Sequence, residues 1–167
     1  MSIVIFSGTP RKSGRTKLVS KELARKLNGT LVDLSEWDLP LFNGEDSQTR
    51  NPAVQSLRKI VDEAEALVWV SPEYHNGMSG ALKNALEFLG AKHFKGKPTL
   101  LLAVSGGGKG GINALNQMRT IGRGLYANVL PQQLIFDPVD FKEDGQLCKD
   151  CKEKLDRVLS EFLPVPI

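Results

Sequence analysis

A doubly wound α/β fold, with a five-stranded parallel sheet and helices on both faces, is predicted by three observations. Apolar runs alternate with amphipathic runs five times along the 167 residues, as repeated strand–helix units require. The runs at Ile3–Ser7, Leu67–Ser71 and Thr99–Ser105 are nearly continuously apolar, the pattern of parallel strands covered on both faces. Each of those runs leads into a segment rich in glycine, hydroxyls or proline, and beyond the carboxyl ends of parallel strands such segments build ligand sites.

Taken in order, Ile3–Ser7 is the first strand. It leads through Ser7-Gly8-Thr9-Pro10-Arg11-Lys12-Ser13-Gly14-Arg15-Thr16 into a helix over about 15–24. Thr30–Asp33 is the second strand. The polar stretch from Glu36 to Asn51, with Pro40 and Asn43-Gly44-Glu45-Asp46, reads as a long surface loop before a helix over 52–64; loops of this length often serve function. Leu67–Ser71 is the third strand, and Ser79 is placed to cap a helix over 79–89. Thr99–Ser105 is the fourth, followed by a glycine-rich loop and a helix over 111–125. Val129–Phe136 is the fifth. In the last helix, 150–162, Leu155, Val158, Leu159 and Phe162 recur at helical spacing. Five strands in one small domain favour the order 2-1-3-4-5 with right-handed crossovers. The winding then reverses between strands 1 and 3. The length is that of a single domain over residues 1–167.

Composition narrows the function classes. With 41% hydrophobic and 25% charged residues, the chain is ordinary for a soluble globular protein. It has no apolar segment of membrane-spanning length, and Met1-Ser2-Ile3-Val4 lacks the basic region of a secretory signal. A cytoplasmic protein without a membrane partner is expected. The net charge of +3 suits a small anionic ligand, and the absence of a Lys/Arg block opposes nucleic acid. Cys148 and Cys151 are spaced C-x-x-C, a redox pair, half a metal site, or two ordinary thiols at the start of the last helix. Zinc takes about four ligands, and His75 and His93 lie far away in sequence, so ordinary thiols are the favoured reading and no metal is expected.

The loop after the first strand carries glycines, hydroxyls and three cationic side chains. It departs from a nucleoside triphosphate loop, which becomes the disfavoured reading: Gly8 and Gly14 have five residues between them rather than four, and Arg15 stands where lysine belongs. It can hold one phosphate, through backbone N–H groups at the helix start, the hydroxyls of Thr9, Ser13 and Thr16, and Arg11 or Arg15. The loop after the third strand, Ser71 to Ala85, is shaped by Pro72, Gly77 and Gly80, and offers Tyr74 as a flat wall. His75 has no acidic neighbour to make a catalytic pair, so it reads as a ligand contact. The loop after the fourth strand, Ser105 to Gly111, formally contains G-x-G-x-x-G. It sits after the wrong strand for a dinucleotide fingerprint, and reads as backbone that approaches a flat ligand closely.

These three loops together resemble the NADPH-dependent FMN reductase family, with its flavodoxin-like fold, its bacterial azoreductases and its chromate or quinone reductases. Gly8-Thr9-Pro10-Arg11-Lys12-Ser13-Gly14-Arg15-Thr16 is similar to that family's phosphate loop. Pro72-Glu73-Tyr74 with Leu82-Lys83-Asn84-Ala85 is similar to its P-E-Y-N … L-K-N-A signature. The resemblance covers about residues 3 to 160. It implies FMN as cofactor and NADPH as reductant. Gly8, Thr9, Arg11, Ser13, Arg15 and Thr16 would hold the phosphate. Pro72, Glu73, Tyr74, His75 and Asn76 would edge the ring, and Ser105, Gly106 and Gly107 would back it. Thr9 replaces the usual serine and keeps the hydroxyl; His75 stands where asparagine is usual.

The resemblance also implies an enzyme, an oxidoreductase working by a ping-pong mechanism. NADPH and then a flat acceptor, such as an azo compound, a quinone or free flavin, would use one face of FMN, and the cofactor would carry the chemistry with no catalytic side chain. Backbone N–H groups of Gly106-Gly107 would stabilise the reduced flavin, and Lys109 and Arg119 would meet the NADPH 2′-phosphate. Family members form homodimers or homotetramers with the site at the interface; Trp37, Leu39, Leu41 and Phe42 would serve such a contact, or else pack on the domain's own core. The alternative is a flavodoxin-type electron carrier. Such carriers tend to be acidic, whereas the pI here is about 8.9.

Overall fold

The computed structural model describes residues 1–108 and 110–162. The elements run β1 (Ile3–Ser7), α1 (Arg15–Leu27), β2 (Thr30–Asp33), α2 (Pro52–Asp62), β3 (Ala66–Tyr74), β4 (Gly77–Met78), α3 (Gly80–Glu87), α4 (Ala91–Phe94), β5 (Pro98–Val104), α5 (Ile112–Gly124), β6 (Asn128–Phe136) and α6 (Lys149–Phe162). The sheet order is β2-β1-β3-β5-β6, all parallel, with two-residue β4 paired antiparallel to the end of β3. The five parallel strands therefore follow the expected order, and the sixth is a hairpin extension. Two features differ from the sequence reading: β3 runs on through Pro72 to Tyr74, and α4 is an additional short helix before β5.

Period-2 alternation splits the sheet into two cores. Val4, Phe6, Leu67, Trp69, Leu101 and Ala103 point to one face, where α2, α3, α4 and α5 cover them. Ile3, Ile5, Val68, Val70, Leu100 and Leu102 point to the other, covered by α1 and α6. The chain thus passes from β1 to β2 on one face and from β2 to β3 on the opposite face. This reversal leaves a crevice beyond the carboxyl ends of β1 and β3.

The sheet's edges are both short of regular hydrogen-bonding backbone. β2 has four residues. In β6 the register jumps, with Thr99 opposite Val129 and Leu101 opposite Gln133. Three β6 residues, Leu130, Pro131 and Gln132, thus stand against the single Leu100. Pro131 falls in this bulge, where its missing N–H costs no ladder bond.

Candidate functional site

Three loops at the carboxyl end of the sheet enclose a cleft of about 270 Å³, lined by Thr9, Arg11, Ser13, Gly14, Arg15 and Thr16, by Pro72, Glu73 and Tyr74, and by Val104, Ser105 and Gly106. The first group forms the polar, cationic end. Gly14 has φ 135° and is the N-cap of α1, which receives no side-chain cap. The first N–H groups of α1 have no intrahelical partner, and the helix dipole adds positive potential at the same place. Thr9 and Thr16 are buried hydroxyl residues beside it; Thr9 Oγ1 accepts the Arg11 N–H at 3.2 Å.

The two arginines reach in different directions. The Arg11 guanidinium lies 5.7 Å from the centre of the Tyr74 ring, within cation–π range. Arg15 Nη2 donates to the Ser105 carbonyl at 3.4 Å, and its guanidinium lies 6.0 Å from the Phe141 ring. Each ties the first loop to one of the other two. Lys17, on the same helix turn, is engaged elsewhere. Its ammonium lies 2.9 Å from Asp33 and 3.1 Å from Glu36, and the hydrogen bond to Asp33 chiefly raises its pKa. Burial works to raise the pKa of Asp33, but the Lys17 and Ser35 hydrogen bonds outweigh it and hold the carboxyl below its usual range. That charge pair fastens α1 to the end of β2.

The second loop is a β-hairpin. Tyr74 pairs with Gly77, so His75 and Asn76 are its two turn residues, with φ 48° and 62°. Left-handed backbone at both positions matches the type I′ turn that suits a hairpin's twist. Tyr74 walls the cleft, whereas His75 and Asn76 are exposed at the tip. Gln117 on α5 steadies the hairpin by accepting the Met78 N–H at 2.9 Å.

In the third loop the Ser105 hydroxyl donates to the Asp137 carboxylate and accepts the Gly107 N–H at 3.0 Å. Gly106 lines the cleft, while Gly107, at φ 115°, lies against Pro138. Gly8 has a packing role at the cleft's base. Its N–H donates to the Val70 carbonyl at 2.8 Å, its carbonyl accepts the Ser79 hydroxyl, and a Cβ there would lie 2.6 Å from the Val70 oxygen. Ser79 also caps α3 through the Leu82 N–H. Ten of the residues singled out from sequence thus line one cleft, and Gly8, His75, Asn76 and Gly107 border it. Gly14 and Val104 line it too, and Asp137 and Gln117 support it. Only Gly14 carried a sequence signal, its place just before the first helix.

Arg119 is bound to β6, donating to the Leu130 carbonyl at 3.0 Å and to Gln133 at 2.8 Å; Lys109 lies outside the described residues. The L-K-N-A stretch acquires a role. Asn84 accepts the Phe42 N–H at 2.8 Å and donates to the Pro40 carbonyl at 2.9 Å. It holds the long loop so that Trp37 and Leu39 pack on the core and the Phe42 ring meets Phe88 edge-on at 5.4 Å, while Leu41 is 82% exposed. Cys151 is buried among apolar residues, and that burial, with Asp140 beside it, pushes its thiol up to about 12. A thiol so hard to ionise is a poor nucleophile.

The uncapped helix start, the two buried threonine hydroxyls and the arginines fit a ligand that ends in a phosphate; the tyrosine wall and the glycine backbone opposite fit a flat body. Residues 1–140 match the model of the family described as NADPH-dependent FMN reductase. An NADPH azoreductase of Bacillus sp. (strain OY1-2) is 48% identical over 97% of this chain and 90% of its own length. An FMN reductase (NADPH) of Escherichia coli (strain K12) is 31% identical over 64% of this chain and 57% of its own. Among solved structures, an NADH:FMN oxidoreductase in apo form aligns with TM-score 0.79 at 24% identity, covering 96% of this chain and 87% of that one. That structural likeness carries the fold alone.

Proposed function

The chain belongs to the NADPH-dependent FMN reductase family, and from that premise we propose that it is an FMN-dependent NADPH oxidoreductase, one FMN-binding domain whose cofactor sits in the three-loop cleft. The observation that carries the assignment of the cleft is the convergence of Thr9, Arg11, Ser13, Arg15 and Thr16 with Tyr74 and Gly106 around a single hollow. Held by these residues, FMN would supply the redox chemistry, two-electron exchange between NADPH and an acceptor.

The chain's own groups bind and orient. The α1 amides and the Thr9 and Thr16 hydroxyls offer hydrogen bonds to the phosphate, and Arg11 and Arg15 balance its charge. Tyr74 confines one edge of the ring, with His75 and Asn76 at the rim. The Ser105–Asp137 pair fixes the glycine backbone; because the Ser105 hydroxyl takes the Gly107 N–H, only the Gly106 amide of the two expected from sequence would favour negative charge at the opposite edge. At about 270 Å³ the cleft is at the small end of ligand pockets, so a bound FMN would not be wholly enclosed. One open face serving first NADPH and then a flat acceptor supports a ping-pong mechanism, with azo compounds, quinones and free flavin as acceptor classes; the identical-in-part azoreductase supports the first.

A homodimer or homotetramer is part of this reading. Its support is Leu41, 82% exposed on the loop that Asn84 holds, and, separately, an apolar groove lined by Met78, Lys83 and Ile121. The decisive experiment is the visible spectrum of purified protein loaded with FMN, before and after anaerobic NADPH. Bleaching of the flavin band followed by its return on adding a quinone is expected. Protein that takes up no FMN overturns the reading, and FMN that NADPH leaves oxidised converts it to the electron-carrier alternative.

A further inference from the structure

We propose that Glu73 is a positioning residue: its carboxylate caps α5 and thereby sets the gap between the Tyr74 wall and the glycine-rich loop. This rests on reading the cleft as the FMN site.

The need for such a cap begins at Gly111, the residue before α5. Its φ is 94°, and a Cβ there would lie 2.7 Å from Ile135 Cγ2. Serine, threonine, aspartate and asparagine, the usual caps, are therefore barred by backbone and by space. Ala114, the third residue of α5, is buried, and its N–H requires an acceptor from outside the helix. Glu73 Oε2 accepts it at 2.9 Å. A carboxylate at this end also meets the positive pole of the helix. Its other oxygen lies only 3.3 Å from the position a Cβ on Gly110 would take, so Gly110 leaves room for the carboxyl group.

A second bond makes the unit rigid. Gln117, one turn beyond Ala114, holds the Met78 N–H of the hairpin. Both bonds run from α5 to the strand pair that carries Tyr74. The glycine-rich loop ends where α5 begins, so fixing the helix start against Glu73 fixes the far end of that loop; the Ser105–Asp137 pair fixes the near end. Glu73 lines the cleft, yet among the described residues its side-chain hydrogen bond is to the helix.

The test compares wild type, Glu73→Ala and Glu73→Gln by amide hydrogen exchange without FMN and by FMN titration. In Glu73→Ala, amides 114–116 should exchange about 5- to 30-fold faster, the equivalent of losing one cap, with β1 amides unchanged, and FMN affinity should fall by a similar factor. Glu73→Gln keeps an acceptor oxygen and should stay within about threefold of wild type in both measurements. Exchange that is unchanged in Glu73→Ala while FMN affinity collapses would make Glu73 a direct ligand contact and overturn the proposal. Faster exchange with unaltered affinity would overturn it equally, because the cap would then not shape the cleft. The two readings fail separately: wild type that binds no FMN defeats the cofactor assignment, and the exchange comparison still decides the cap.

Discussion

The starts of α1 and α5 lie at the same end of the sheet and are completed in opposite ways. Both follow a glycine with positive φ, Gly14 and Gly111, and neither glycine offers a capping side chain. At α5 the deficit is met within the protein, by Glu73 from β3. At α1 no side chain caps the helix, and basic residues surround its start. The starts of α2 and α3 resemble that of α5: Asn51 caps α2 through the Ala53 and Val54 N–H groups, and Ser79 caps α3. The contrast teaches where a ligand belongs. A helix start answered by a carboxylate is structural; one left open among hydroxyls and arginines at a cleft is prepared for an anion.

The sharpest way to break this comparison is to force a side chain into a glycine start. Gly111→Ala should destabilise the fold by about 2–4 kcal/mol, combining a strained backbone with overpacking against Ile135; a urea midpoint equal to wild type would show that α5 can relax. Next in size, Arg11→Ala should weaken FMN binding by about 1.5–3 kcal/mol, the range of a charged hydrogen bond, and leave riboflavin, which lacks the phosphate, unaffected in a fluorescence titration. Equal losses for both ligands would place Arg11 at the ring instead, and no loss for either would move the phosphate partner to Arg15. Smaller still, Asn51→Ala should cost about 1 kcal/mol of stability with FMN affinity unchanged, since α2 is finished without any ligand.

The smallest effect concerns α4, whose start is held from within: His93 Nδ1 accepts the Gly90 N–H at 2.8 Å. Burial lowers the pKa of His93 below its ordinary value. The proton therefore prefers the unfolded chain, so stability is full above about pH 6.5, the ordinary value, and declines as pH falls below it. The slope for one group cannot exceed about 1.4 kcal/mol per pH unit. Urea midpoints measured between pH 7.5 and 5.5 should fall in wild type and fall less in His93→Gln.

Much of this arrangement was legible in the chain because it is local. Ile3–Ser7 and Thr30–Asp33 are strands at the predicted limits, and Ser79 announces α3 by the ordinary cap signal. The three loops were found because each follows an apolar run. What stayed hidden depends on partners distant in sequence. Glu73 and Ala114 are 41 residues apart, and Asn84 lies 42 from Phe42; no spacing rule joins them. The hairpin is hidden in the sequence for a different reason. Its turn is His75-Asn76, without the glycine that usually marks a type I′ turn, so β3 read as ending at Ser71. Arg119 reads as a contact to the NADPH 2′-phosphate because its charge is visible in the sequence and its partners on β6 are not.

The bulge at Pro131 has a consequence for how copies of this chain can meet. A regular outer strand is an open template on which another sheet can add by backbone pairing, the route to uncontrolled fibre growth. Here one margin is four residues long and the other is interrupted by three residues standing against one, with an imide nitrogen among them. Neither offers a usable template. Sheet extension is thereby disfavoured at both margins, and growth into fibres by backbone pairing has no starting edge.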